Sequence, residues 1–278
     1  MPKEVYLTRV FRNCFIMLLV GALVILPAWS VSESSAGVTA RAAIFSDSTR
    51  SKRLYSKNVN MRVAPASTTK VMTALLVLER LPLDKVITVS KRASLAPPTN
   101  IAAKPGERFR VRDLLYALLL KSANDVSITL AEAVSGSEWD FIQLMNQRAR
   151  ELGAKNTRFT NASGLPTKHM QYTTPYDMYL IFKEALKYKF FKTVIRHQRK
   201  NIVSLQGRRV QLVSHNKILF KDWRRKIYGK TGWTREAKSC FVGYFMNGKN
   251  VCIIAVFGCT KRWEDIKYIV SRYGHVSL

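Results

Sequence analysis

A chain of 278 residues, 47% of them hydrophobic, is long enough to bury one substantial core, or one core with a smaller lobe. Its 46 Lys and Arg against 18 Asp and Glu leave a net charge of +28. Cysteines number 4, and with Cys14 set in the N-terminal segment the remaining Cys240, Cys252 and Cys259 cannot all pair internally, which excludes a disulfide-built scaffold.

The N-terminus reads as an export leader. Lys3, Arg9 and Arg12 stand against Glu4 alone, and an unbroken apolar run follows from Cys14 to Leu26. Ala28-x-Ser30 and Val38-Thr-Ala40 both offer small residues for cleavage, so residues 1–30 are a signal peptide or an uncleaved anchor. Residues 31–37 form a polar linker, and 38–278 the working domain, placed outside the cytoplasm. Without residues 1–30 the charge is still +26. Such a balance is either a solvated basic surface or an attraction to a polyanion: an anionic membrane surface, a wall polymer or a nucleic acid. No zinc-finger, helix-turn-helix or aromatic RNA-binding motif is present, so no nucleic acid is expected.

In chain order, Val38–Phe45 reads as a strand, with a turn at Ser46–Arg53 and a second short strand after it. Val71–Leu78 is apolar on nearly every side, as a buried helix is. Val111–Leu120 reads as an apolar helix, broken at Lys121-Ser-Ala-Asn124 and resumed over Val126–Val134. Trp139–Leu152 shows helical spacing up to Gly153, and Thr174-Pro-Tyr-Asp177 opens a helix to Lys187. The last third turns to strands, Ile227–Thr234, Phe241–Met246 and Val251–Cys259, with a hairpin at Asn247-Gly248 and a closing helix over Trp263–Arg272. Strands at both ends with helices between predict an α+β fold. Its antiparallel sheet comes from the two termini, flanked by helices, with a helical lobe inserted.

Three strings carry the chemistry: Ser67-Thr-Thr-Lys70, Ser122-Ala-Asn124 and Lys230-Thr231-Gly232. They are the parts of an acyl-transfer site that uses lysine as its base. Ser-x-x-Lys alone occurs by accident on the order of once in a chain this long, and Ser214-His-Asn-Lys217 repeats it here. Only the triple built on Ser67 runs in the right order, with Ser122 following it by 55 residues and Lys230 by 163, since Ser214 has no Lys-Thr-Gly at a comparable distance. Ser67 at a helix N-terminus meets backbone N–H groups that favour developing negative charge, and Lys70 falls on the same face one turn on. To take a proton Lys70 must be neutral, which requires burial and a nearby cation such as Lys230. Ser122, in the break between helices, would pass a proton to a leaving amine, and Asn124 would orient Lys70 and the substrate. On a strand edge Lys230 and Thr231 would hold a carboxylate, and Gly232 leaves the edge open to substrate. The Trp233 and Ser67 N–H groups would form an oxyanion hole. The four histidines show no metal-ligand spacing, so no metal and no cofactor is expected. His215 reads as structural.

These segments resemble the low-molecular-mass penicillin-binding proteins, the serine D-Ala-D-Ala carboxypeptidase family. The likeness runs through Arg62–Ala74, Leu120–Asp125, Asn161-Ala-Ser-Gly-Leu165, Gln171–Met178 and Gly229–Ala237 with Cys240. The resemblance implies a β-lactamase/transpeptidase-like fold and a bacterial enzyme of the periplasm or the outer face of the cytoplasmic membrane. It implies that Ser67 attacks the penultimate D-alanine carbonyl of peptidoglycan stem peptides, that β-lactams acylate the same serine, and that Lys230 and Thr231 bind the terminal carboxylate. Two departures stand out: Lys238 occupies a position where the family has glycine, and the chain ends 48 residues past Lys230. The short end is similar to that of the shorter members, some of which cut D-Ala–diaminopimelate cross-links, so carboxypeptidase and endopeptidase both stay open. A class A β-lactamase would need a glutamate near residues 156–160, where none stands. A basic wall-binding protein with a decayed site is the non-enzymatic alternative.

Overall fold

Ala42–Asp47 (β1) is buried along its whole length, as a strand covered on both faces must be. It lies inside a five-stranded antiparallel sheet with Lys52–Lys57 (β2) on its outer side and the chain's last three strands on the other. The computed structural model describes residues 37–278, which form one compact unit. The leader and all but Gly37 of the linker lie outside the described residues. After β2 come the helix Lys70–Arg80 (α1), a short strand Val86–Thr88 (β3), a single turn Lys91–Ser94 (α2), and Arg108–Arg110 (β4), which pairs with β3. Val111–Tyr116 (α3), Asn124–Ser135 (α4), Glu138–Glu151 (α5), Pro175–Ala185 (α6) and Lys189–Arg196 (α7) build the helical lobe. Arg199–Val203 (β5) and Arg209–Val213 (β6) make a separate hairpin. Tyr228–Thr234 (β7), Lys238–Asn247 (β8) and Asn250–Cys259 (β9) complete the sheet in the order β2-β1-β9-β8-β7, and Arg262–Gly274 (α8) closes the chain.

Period-two alternation divides the sheet between two cores. Ile253, Ala255 and Phe257 of β9 and Val242 and Tyr244 of β8 face the helical lobe with Val71, Leu75 and Phe182. Cys252, Ile254 and Val256, with Phe241 and Phe245, face Ile266, Ile269 and Val270 of α8. The α+β architecture expected from the sequence is present. Asp265 ties the two ends of the described residues together: its carboxylate accepts from the Thr39 N–H and hydroxyl, both at 2.6 Å.

Several expected boundaries shift. The first strand starts at Ala42 instead of Val38, because the Thr39 N–H is taken by Asp265 instead of a ladder partner. It runs on to Asp47, whose carboxylate then accepts from the Thr49 and Arg50 N–H groups and turns the chain. The helix expected over Val111–Leu120 is regular only to Tyr116 and widens into a π-turn over Ala117–Lys121. The two-residue hairpin turn is Gly248-Lys249, one step past the expected Asn247-Gly248 pair, since Asn247 and Asn250 face each other in the ladder. Among the elements, α2, α7, the β3–β4 ribbon and the β5–β6 hairpin carry no expectation from the sequence.

Candidate active site

Ser67 rides a 3-10 turn, Ala66–Thr69, that feeds into α1. Ala66 sits at φ +46, and Thr68 fastens the turn by donating its N–H and hydroxyl to the Pro65 carbonyl at 3.2 and 2.7 Å. Two glycines let the rest of the protein close on this turn. A Cβ at Gly164 (φ +83) would overlap the Ala66 carbonyl, and one at Gly232 would come within 3.0 Å of the Ser67 nitrogen. Strand β7 and the Ser67 turn are thereby held within backbone reach. Leu81 turns extended ahead of Pro82, which ends α1 after eleven residues.

Lys70 is the first residue of α1 and is fully buried. Its Nζ donates to Asn124 Oδ1 at 2.8 Å and to the Ser163 carbonyl at 2.7 Å, and lies 3.2 Å from Ser67 Oγ. Burial, then the positive charge of Lys230, push its pKa well below the ordinary lysine range, with Asp125 opposing.

The π-turn after α3 ends at Ser122. The Ala123 N–H reaches back to the Ala117 carbonyl at 3.3 Å, and the extra residue leaves Ser122 left-handed at φ +62. Its Oγ accepts from Lys230 Nζ at 2.9 Å, and the same amine donates to the Thr231 carbonyl at 2.8 Å. Burial and the Arg262 charge lower Lys230 to about 7. Asn124 opens α4, and its amide nitrogen donates to the Pro97 carbonyl at 3.0 Å while its oxygen holds Lys70. Next to it Asp125 accepts from the Ile101 and Ala103 N–H groups, pinning the loop that forms the cleft's far lip.

Ser67, Ser122, Thr231, Gly232 and Trp233 therefore line one cleft, together with Thr99, His215 and Arg262. Lys70, Asn124 and Lys230 lie behind its wall. Every site residue expected from the sequence is brought to this place. By contrast, Ser214-His-Asn-Lys217 is turn chemistry: Ser214 Oγ accepts from the Asn216 N–H, and Asn216 bridges to Ile218 and Ile227.

Three contributors escaped the residue-by-residue reading. The Ser163 carbonyl is aimed at Lys70 by Asn161, whose Oδ1 accepts from the Ser163 and Gly164 N–H groups at 3.0 and 2.6 Å. A backbone oxygen leaves no side-chain signature. Arg262, the first residue of α8, donates to the Gly232 and Cys240 carbonyls at 3.1 and 2.8 Å and carries a positive charge to the cleft from 30 residues beyond Gly232. His215, expected to be structural, stands on the cleft wall, where partial burial and the charges of Lys230, Lys121 and Lys70 push it down to about 4. Its place comes from a backbone bond, His215 N–H to the Leu120 carbonyl at 3.1 Å, that joins distant segments.

The geometry has relatives. The family model described as D-alanyl-D-alanine carboxypeptidase matches residues 29–261. D-alanyl-D-alanine carboxypeptidase DacF of Bacillus subtilis is 37% identical over 230 residues, or 80% of this chain and 58% of that protein. This chain thus spans little more than half the length of that relative. A D-alanyl-D-alanine endopeptidase of Pseudomonas aeruginosa is 30% identical, across 72% of this chain and 65% of that one. A variant of the Streptomyces K15 DD-transpeptidase superposes with a TM-score of 0.79 at 27% identity, over 86% of this chain and 99% of its own. With a family match running from residue 29 to residue 261 and a shared transpeptidase fold, the chain belongs to the D-alanyl-D-alanine carboxypeptidase family.

Proposed function

We propose that this protein is a serine-type D-Ala-D-Ala carboxypeptidase that trims peptidoglycan stem peptides through an acyl-enzyme on Ser67. One observation carries the reading: the buried Lys70 amine sits between two carbonyl acceptors and one hydroxyl. A neutral amine has two N–H donors and one lone pair. With the donors spent on Asn124 and Ser163, the lone pair is left for the Ser67 hydroxyl proton.

Ser67 Oγ, relieved of its proton by Lys70, attacks the carbonyl of the penultimate D-alanine. The negative charge that forms on oxygen is met by the N–H groups of Ser67 and Trp233. Ser122, polarised by Lys230, passes a proton to the departing amine. Thr231, with the charges of Lys230 and Arg262 behind it, holds the terminal carboxylate. Water then cleaves the ester and restores Ser67. β-Lactams, which mimic the D-Ala-D-Ala bond, acylate the same serine. The glutamate on which a class A β-lactamase relies for deacylation has no counterpart in residues 156–160. The basic and apolar pattern of residues 1–30, read as a leader, supports work outside the cytoplasm.

Purified protein incubated with a stem pentapeptide and with cross-linked muropeptide dimers tests the reading by chromatography and mass. Loss of one D-alanine from the pentapeptide is expected. Cleavage of dimers alone would move the assignment to an endopeptidase, and no turnover of either would favour a non-catalytic wall-binding role.

A further inference from the structure

We propose that the outward face of the β5–β6 hairpin, with the turn after it, docks on an anionic lipid bilayer. The surface is separate from the catalytic cleft.

Burial alternates along β5: Arg199, Asn201 and Val203 are exposed while Ile202 is buried in the core. The register sets Arg199 opposite Val213, Asn201 opposite Gln211, and Val203 opposite Arg209. One face of the hairpin thus shows two arginines, two amides and an exposed valine, and the other packs Ile202 and Leu212 inward. Both ends of this plate are fastened. At the tip the Leu205 N–H donates to the Arg108 carbonyl at 2.8 Å, and the Arg108 N–H donates to Gln206 Oε1 at 3.1 Å. At the base the Gln198 amide donates to the Leu219 carbonyl at 2.6 Å, bringing Phe220 beneath the Arg199 guanidinium, 5.7 Å from the ring centre.

The plate is basic and also apolar. Val203, Leu205 and Phe220 are 46%, 42% and 43% exposed. Lys217, Lys221 and Arg224 are exposed beyond them, and between residues 199 and 226 the one acid is Asp222. A soluble polyanion would need only the cations. Large apolar side chains held in water among arginines and lysines fit a bilayer interface, where the cations meet phosphates and the apolar groups enter the acyl boundary. The strand β6 runs directly on to His215 in the cleft wall, so docking would set the cleft beside the headgroups.

Hydrogen–deuterium exchange on the full chain tests this locally, so that binding through residues 1–36 does not mask the result. Slower exchange over residues 199–213 and 217–221 is expected on phosphatidylglycerol-containing vesicles and not on phosphatidylcholine alone. The double variant Arg199→Gln/Arg209→Gln and the triple variant Val203→Ser/Leu205→Ser/Phe220→Ser, each checked for an unchanged circular dichroism spectrum, are both expected to lose that protection. Their partitioning difference between the two vesicle types should fall roughly tenfold or more. Equal exchange on both vesicle types overturns the proposal. Protection reproduced by soluble poly(glycerol phosphate), or retained in the serine variant, also overturns it and assigns the surface to a soluble polyanion.

Discussion

Lys230 does two jobs at once. It donates to Ser122, and its charge is the second cause, after burial, that keeps Lys70 below the ordinary lysine range. Removing it leaves Lys70 buried but relieves the repulsion, so the Lys70 pKa rises and less of it is neutral at any given pH. In Lys230→Met the acidic limb of the pH profile for serine acylation is therefore expected to move to higher pH, along with a fall in the plateau rate. A plateau that falls with the limb unmoved would remove Lys230 from the tuning of the base. Lys238 shows a different economy. It is exposed and left-handed at φ +54, a conformation that costs a side-chain-bearing residue about 1 kcal/mol or more. That is the physical content of the departure from glycine noted in the sequence. Lys238→Gly should raise the urea midpoint by an amount worth about 1 kcal/mol.

Elements were legible where a single rule governed them. α1 was visible because it is apolar on nearly all sides, and the β7–β9 meander because its strands are long and covered on both faces. α6 announced its start through Thr174, which caps Asp177, and Pro175 behind it. The β5–β6 hairpin stayed hidden because only Ile202 and Leu212 are fully buried, too few to make an apolar pattern. The π-turn stayed hidden because its cause is geometric: one extra residue must fit before Ser122 can turn left-handed. The same holds for the site. Motifs named Ser67, Lys70, Ser122, Asn124 and Lys230, whereas Ser163, His215 and Arg262 join through backbone contacts and topology. Gly164 shows how tightly two elements can be coupled. Gly164→Ala would drive a Cβ into the Ala66 carbonyl at φ +83, costing about 3 kcal/mol and pushing the Ser67 turn out of place. A lowered melting temperature and slower acylation are expected together, and a variant with wild-type acylation would show that the turn holds itself.

At the scale of the molecule, the sheet joins sequence ends more than two hundred residues apart, and a single carboxylate secures the join. Asp265 at the start of α8 receives two bonds from Thr39, and the Thr39 hydroxyl in turn accepts from the Thr260 and Lys261 N–H groups. Asp265→Ala strands that cluster and should cost about 3 kcal/mol, read from urea denaturation. Because α8 also carries Arg262 to the cleft, the loss reaches the site through the fold. A midpoint within error of wild type would mean that the termini are held by core packing alone.

The most direct test of the whole reading is the covalent one: residues 31–278, wild type and Ser67→Ala, mixed with labelled penicillin, digested and mapped by mass spectrometry. A long-lived adduct on Ser67 and none in the variant is expected. A folded wild-type protein that takes no label, or takes it on another residue, would contradict the assignment of Ser67 as the nucleophile.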